Sequence, residues 1–288
     1  MIKLIATDMD GTLLNAAHEI SKENVDAIKF AQSQGITVAI ATGRAFYEAS
    51  TPMAETDLKV PYICLNGAEV RDESFNIMNT SNLNHELVER IKAILDREDV
   101  YYQVYTNRGI YTEDPTRDLD IYLDIARNAG QQGDVEKIKA GIQKRIDNGT
   151  LKIVDNYKDI EDIPGELIMK VLAFNPDLEK IERIGKELSA ISSLAVSSSS
   201  RGNLEITHSD AQKGIALETI ANQLHIDLNE VMAIGDNLND ASMLERVGYP
   251  VAMDNAMPEV KAIAKLVTDT NEHSGVGKAI IKVLTEEK

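Results

Sequence analysis

Cysteine is almost missing from this chain. Cys64 stands alone, so no internal disulfide can form, and its place in the apolar run VPYICLN marks it as a buried core thiol rather than a reactive one. Positive charge is also scarce: 30 lysines and arginines face 47 aspartates and glutamates, a net charge of −17. That balance excludes a general nucleic-acid or anionic-membrane surface, and any anionic ligand must meet a local positive site. Long apolar runs are absent, none approaching the ~20 residues of a membrane span. The N-terminal MIKLIATDMDGT reaches two aspartates before a signal-peptide core could form. The five histidines, His18, His85, His208, His225 and His273, lack metal-ligand spacing. A soluble cytoplasmic protein is expected, with neither nucleic acid nor membrane as partner; no sequence feature specifies an oligomeric state.

With 288 residues, the prior of roughly 100 to 200 residues per domain favours two domains. At both ends, short β-rich runs alternate with helical patterns: IKLIATD, a helix from about Ser21 to Gln34, TVAIATG and VPYICLN, then later a helix near Gly214, EVMAIGD, NDASMLERV and a last helix near Val276 to Leu284. This is the βαβ rhythm of a parallel sheet, so the fold class is α/β, a Rossmann-like doubly wound core. The middle reads as α+β: the helix HELVERIKAILDRE, the alternating strand YYQVYTN, two charged helical stretches, the strand ELIMKVLAF and the helix DLEKIERIGKELS. Polar TSNLN and SSSSRG flank it, the serine run reading as a solvated linker. The expected division is a discontinuous core, 1–83 with 199–288, and an inserted domain, 84–198. Internal repeats are absent.

The chemistry gathers where strands end. Asp8-Met9-Asp10-Gly11-Thr12 follows the first strand, and ligands of doubly wound sheets bind outside the carboxyl ends of strands. Residues two apart on an extended segment project to one side, so two carboxylates crowd together, suggesting either a Mg2+ site or an acid/base couple. Thr42, Gly43 and Arg44 end a second strand with a hydroxyl, an open backbone N–H and a guanidinium, all suited to phosphate oxygens. Lys213-Gly214 opens a helix, and Asp236, Asn239 and Asp240 follow a third strand. A G-x-G-x-x-G after an early strand is lacking, which sets aside a dinucleotide enzyme.

Together DMDGT, ATGR, QKG and GDNLND resemble, across nearly the whole chain, the four motifs of the haloacid dehalogenase-like hydrolase superfamily. The long separation of Thr42 from Lys213 places an inserted cap domain as in the type II (IIB) cap subclass, and NGA at 66–68 with SMLE after GDNLND is similar to its Cof-type phosphatases. The resemblance implies Asp8 as nucleophile and metal ligand, Asp10 as general acid/base with its backbone carbonyl on the metal, and Asp236 as the third protein ligand of Mg2+. It implies a phosphoryl site of Thr42, Gly43, Lys213, Asn239 and the Met9 amide, with Arg44 and Asp240 in support. The implied substrate is a small phosphorylated metabolite such as a sugar phosphate, flavin mononucleotide or 5-amino-6-(5-phosphoribitylamino)uracil. Tyr101, Tyr102 and Tyr105 alternate along a strand whose one face packs the cap, with Tyr111 and Arg117 as candidates for facing substrate. A phosphosugar mutase shares the nucleophile, metal and cap, and a receiver-like phospho-acceptor module shares the acidic site; a dehalogenase would leave Asp10 and Asp236 without a role.

Overall fold

The computed structural model describes residues 1–119, 123, 135–199 and 202–286. They form two compact units, Met1–Ser81 with Asp210–Lys288, and Asn82–Ser209. Among the described residues no helix is long and apolar enough to cross a membrane.

The first unit holds an eight-stranded sheet. Its strands are β1 (Leu4–Thr7), β2 (Thr37–Ala41), β3 (Tyr62–Cys64), β4 (Glu69–Arg71) and β5 (Ile77–Thr80). In the order of the sheet, β5 lies at one edge and β1 is followed by three further strands that come late in the chain, Val231–Gly235, Tyr249–Ala252 and Leu266–Val267. Pairing is parallel from Leu266–Val267 through to β3 and antiparallel from β3 to β5. Leu4, Ile5, Ile40, Val231 and Ile234 are fully buried, because a parallel sheet covered on both faces needs continuous apolar strands rather than alternating ones.

The sequence between β1 and β2 forms the helix Lys22–Ser33, started by Ser21, whose hydroxyl accepts the Asn24 amide. Ala27, Ile28 and Ala31 are its buried stripe, and burial of Ile28 alone contributes about 1.5–3 kcal/mol. This helix packs beside the helix Gly275–Glu286. Buried Asn24 ties the two together, accepting the Gly277 amide at 2.8 Å and donating to the Leu13 carbonyl at 3.2 Å. The sheet order puts β1 between β2 and Val231–Gly235, with the chain leaving β1 first to one side and returning much later on the other. That is a topological switch point, where the loops after adjacent strands diverge and open a crevice.

The second unit is α+β. Its strands are β6 (Tyr101–Thr106), β7 (Gly109–Thr112), β8 (Leu151–Ile153), β9 (Ile168–Phe174), β10 (Leu194–Ser197) and β11 (Asn203–His208), in the sheet order β10-β11-β9-β6-β7-β8. The core strands that follow in the chain are β12 (Val231–Gly235), β13 (Tyr249–Ala252) and β14 (Leu266–Val267). Helices His85–Arg97 and Leu178–Ser189, capped by Asn84 and Asp177, bury Ile91, Leu95, Ile184 and Leu188 against Tyr102, Val104, Val171 and Ile206. Of the two charged helical stretches expected here, Val135–Asp147 is a helix, and the other falls largely outside the described residues.

Two expectations shift. The contact boundary falls after Ser209 rather than at 198/199, because β10 and β11, on either side of the serine run, pair antiparallel in one sheet. Tyr111 belongs to the apolar cluster under the helices, its hydroxyl donating to Glu166 at 3.1 Å, instead of facing a ligand. The reason is register: β7 pairs with β6 so that Tyr111 sits opposite Val104, on the helix-covered side.

Candidate active site

Asp8 is the first residue after β1, and Asp236 is the first after β12, so the two flank the switch point. Asp8 is buried, and its Oδ1 receives the Lys213 ammonium at 2.6 Å. Lys213 opens the helix Lys213–Gln223, is fully buried, and reaches Asp240 Oδ1 at 2.6 Å as well. The second oxygen of Asp240 accepts the amides of Asp236 and Asn237 at 2.9 and 3.0 Å. Asp240 therefore has both oxygens engaged and clamps the turn after β12 to the lysine.

A ligand oxygen from each of Asp8, Asp236 and Asp240 lies within 4.8 Å of the others, the sole such grouping of His, Cys, Asp or Glu found among the described residues. Asp10 is not in it. Its carboxylate turns to Arg44, which donates Nε to Oδ2 at 2.7 Å and Nη2 to Oδ1 at 2.5 Å.

Electrostatics mark the cluster as short of positive charge. Burial, partly offset by Lys213, raises the Asp8 carboxyl well above the usual carboxylate range, with Asp240, Asp236 and Asp10 pushing the same way. Burial and the neighbouring Asp240 push Asp236 up to about 7, against the hydrogen bond it accepts from Thr12. Burial works against the Lys213 ammonium, yet Asp240 and Asp8 more than offset it and hold the group charged. Two buried carboxylates thus share one ammonium with a third, half-buried carboxylate beside them, and a divalent cation would relieve the excess. The donors are hard oxygens with no sulfur or imidazole among them, the chemistry of a Mg2+ site. The residues fit such an ion.

Glycines make the close approach possible. Gly11 has φ +74, and a Cβ there would lie 2.5 Å from Asp236 Oδ2. Gly235 leaves room in the same way for the Asp240 carboxylate, 2.5 Å from where its Cβ would stand.

The remaining expected residues lie in the loops that follow β1, β2 and β12. Thr42 follows β2, is buried, and accepts the Arg44 amide on its hydroxyl at 3.1 Å. Gly43 lies between them. The side chain of Met9 is fully buried, and its carbonyl accepts the amides of Thr12 and Leu14, closing the turn after β1. Asn239 donates to Asn66 Oδ1 at 3.3 Å.

Four contributors had no role assigned from the sequence, although Thr12, Asn66 and Ser242 stand in the motifs DMDGT, NGA and SMLE. Thr12 donates its hydroxyl to Asp236 at 2.7 Å. Asn66, at φ 57, donates its amide to the Thr42 carbonyl at 3.0 Å. Ser242 accepts the Gly214 amide at 3.1 Å, pinning the start of the lysine helix. Asn255 donates to the Gly11 carbonyl at 2.7 Å. The signal for Asn255 was its place just past β13, another parallel strand ending at the same edge.

Known proteins agree with this architecture. Residues 5–280 match the haloacid dehalogenase-like hydrolase family. The chain is 35% identical over 277 residues to phosphatase YwpJ of Bacillus subtilis, covering 96% of this chain and 97% of that protein. It is 33% identical to the 5-amino-6-(5-phospho-D-ribitylamino)uracil phosphatase YwtE of the same organism, covering 99% of each. A solved haloacid dehalogenase-like hydrolase from B. subtilis superposes with a TM-score of 0.87 at 34% identity, over 97% of this chain and 99% of the other. With four motifs at the carboxyl edge of a doubly wound sheet and likeness over nearly its full length, the chain belongs to the haloacid dehalogenase-like hydrolase family.

Proposed function

We propose that the chain is a Mg2+-dependent phosphatase of small phosphomonoesters, acting in the cytoplasm through an aspartyl-phosphate on Asp8. The carrying observation is the Asp8 carboxylate: buried at the end of β1, gripped on one oxygen by Lys213, and set beside Asp236. A turn-forming aspartate is normally exposed and spends its carboxylate on nearby backbone amides. This one is held at a desolvation cost, which makes sense for a reacting group.

Asp8, Asp236 and the Asp10 backbone carbonyl would hold Mg2+, with Asp240 fixing Lys213 rather than serving as a ligand. When bound, the ion supplies positive charge that offsets repulsion between carboxylate and phosphate. Lys213, Thr42, Asn239 and the amides of Met9 and Gly43 hold the phosphoryl oxygens. Asp8 attacks phosphorus, the bond from phosphorus to the leaving oxygen breaks, and Asp10 gives that oxygen its proton. Asp10 then takes a proton from water as the water oxygen attacks phosphorus. The Asp8–phosphorus bond breaks, and inorganic phosphate leaves with Asp8 restored. The unit Asn82–Ser209 acts as the cap that reads the leaving group.

The names of the relatives favour hydrolysis over transfer to a second sugar, and one of them points to a ribityl-aminouracil phosphate. The test is phosphate release from that compound, sugar phosphates and flavin mononucleotide, with Mg2+ and with EDTA. Release is expected only with Mg2+, and Asp8→Asn is expected to abolish it. Full activity in EDTA would refute the reading.

A further inference from the structure

Arg44 spends its guanidinium on Asp10, and nothing in the proposed reaction yet uses that pair. Both oxygens of Asp10 are taken, Oδ2 by Nε at 2.7 Å and Oδ1 by Nη2 at 2.5 Å. Such a fork fixes the plane of a carboxylate as well as its place. Arg44 is itself held, its amide donating to Thr42 Oγ1 at 3.1 Å and its Nη1 reaching the Glu48 carbonyl at 3.5 Å. Asp10 is different: its side chain is 51% exposed against 22% for Arg44, so packing does little to orient it. An unrestrained aspartate at a turn samples several rotamers, and proton transfer needs one.

The obvious alternative makes Arg44 a phosphate ligand, since it follows Thr42 and Gly43. Geometry argues against it: the two donors that would grip a phosphate side by side, Nε and Nη2, already face the carboxylate. We propose that Arg44 is a positioning residue for Asp10, its fork setting the orientation of the ionised carboxylate that takes the proton from water in the second step, without itself holding the phosphoryl group. This rests on the reading of Asp8 and Asp10 given above.

The test is a double-mutant cycle read on the second step. Enzyme with Mg2+ is mixed with p-nitrophenyl phosphate and quenched in acid, and the rate at which the phosphoryl group leaves Asp8 is followed by intact mass. Steady-state kcat and KM for an alkyl phosphate are measured in parallel, with melting temperatures to report folding. Arg44→Gln is expected to slow dephosphorylation about 10- to 100-fold, part of what a full acid/base group is worth, with KM changed less than about twofold. Arg44→Lys keeps the charge but loses the fork, and is expected to restore only a small part. In the Asp10→Asn background, Arg44→Gln is expected to add no further loss. Losses that multiply in the double variant, or a raised KM with normal dephosphorylation, would overturn the role. A parent enzyme that never carries the phosphoryl group would instead remove the aspartyl-phosphate reading itself, and this role with it.

Discussion

Replacing Lys213 with methionine removes the ammonium that bridges Asp8 and Asp240 while keeping the volume of an unbranched side chain. Both bridging distances are 2.6 Å and the lysine is fully buried, so neither carboxylate can turn to water for compensation without a rearrangement. Removing one partner of a buried ion pair costs about 3–5 kcal/mol. Asp240 is partly protected, because its other oxygen keeps the amides of Asp236 and Asn237. Asp8 bears most of the loss. At about 2–4 °C per kcal/mol for a chain of this size, the melting temperature in EDTA should fall by about 6 to 20 °C. Hydrogen exchange at the amides of β1 and β12 would assign the loss to this unit. Because the variant carries a larger excess of negative charge, Mg2+ should raise its melting temperature more than it raises the parent's. Adding Asp240→Asn to the variant should recover part of the stability. A variant that melts within about 2 °C of the parent in EDTA, with Mg2+ raising both equally, would refute this account of the cluster.

Other consequences follow from the same geometry. Asp236 titrates near 7 in the folded protein against 3.8 for the free group, so between those values the folded state binds a proton that the unfolded state has released. Without metal, stability should therefore fall as pH rises from about 4 to 7 and level off above, by at most about 4 kcal/mol, and Mg2+ should flatten the slope; a melting temperature in EDTA that climbs steadily from pH 5 to 7 would contradict this. Gly11→Ala places a methyl group where the Asp236 carboxylate stands, in a left-handed conformation costing about 1–2 kcal/mol, and should lower kcat about 10²-fold through the displaced carboxylate; unchanged kcat would sink the close-approach argument. Asn24→Ala strands the Gly277 amide and the Leu13 carbonyl and should cost about 2–4 kcal/mol in urea unfolding while leaving kcat per folded molecule intact. A loss below about 0.5 kcal/mol would mean that water replaces both bonds.

The parts that were legible in the sequence are those tied to the ends of strands. Asp8, Thr42 and Asp236 each follow an apolar run directly, and a parallel sheet delivers such positions to one edge whatever the details of packing. Lys213 was legible because a helix start leaves little freedom in where its first side chain points. Partners joined across loops were not. The fork between Arg44 and Asp10, and the bonds from Asn255 to Gly11 and from Asn66 to Thr42, depend on how separate loops fold back, which no periodicity records. The side faced by Tyr111 stayed open for a related reason: alternation shows that two faces exist, but only the pairing with β6 decides which face meets the helices. The serine run misled as a boundary because composition alone does not separate a linker from the polar residues around a hairpin.

Four aspartates surround this crevice with one functional group and four environments, and the differences bear on the proposed division of labour. Asp240 spends one oxygen on Lys213 and the other on two amides, which suits it to holding others in place. Asp236 keeps one oxygen on Thr12 and is pushed toward neutrality by burial and then by Asp240, the state of a carboxylate short of a cation. Asp8 is more deeply buried than Asp10, and burial raises its carboxyl although Lys213 opposes the shift, so positive charge entering beside it favours the ionised form further. Asp10 alone is half-exposed and paired outside the cluster, where a proton can come and go without rearranging the buried centre. Catalytic sites commonly separate acid, base and nucleophile by environment rather than by residue type. Cation binding should accordingly precede productive phosphate binding: until the excess charge around Asp8 is met, a phosphate dianion entering the crevice meets carboxylates countered by Lys213 and by an Arg44 already paired with Asp10.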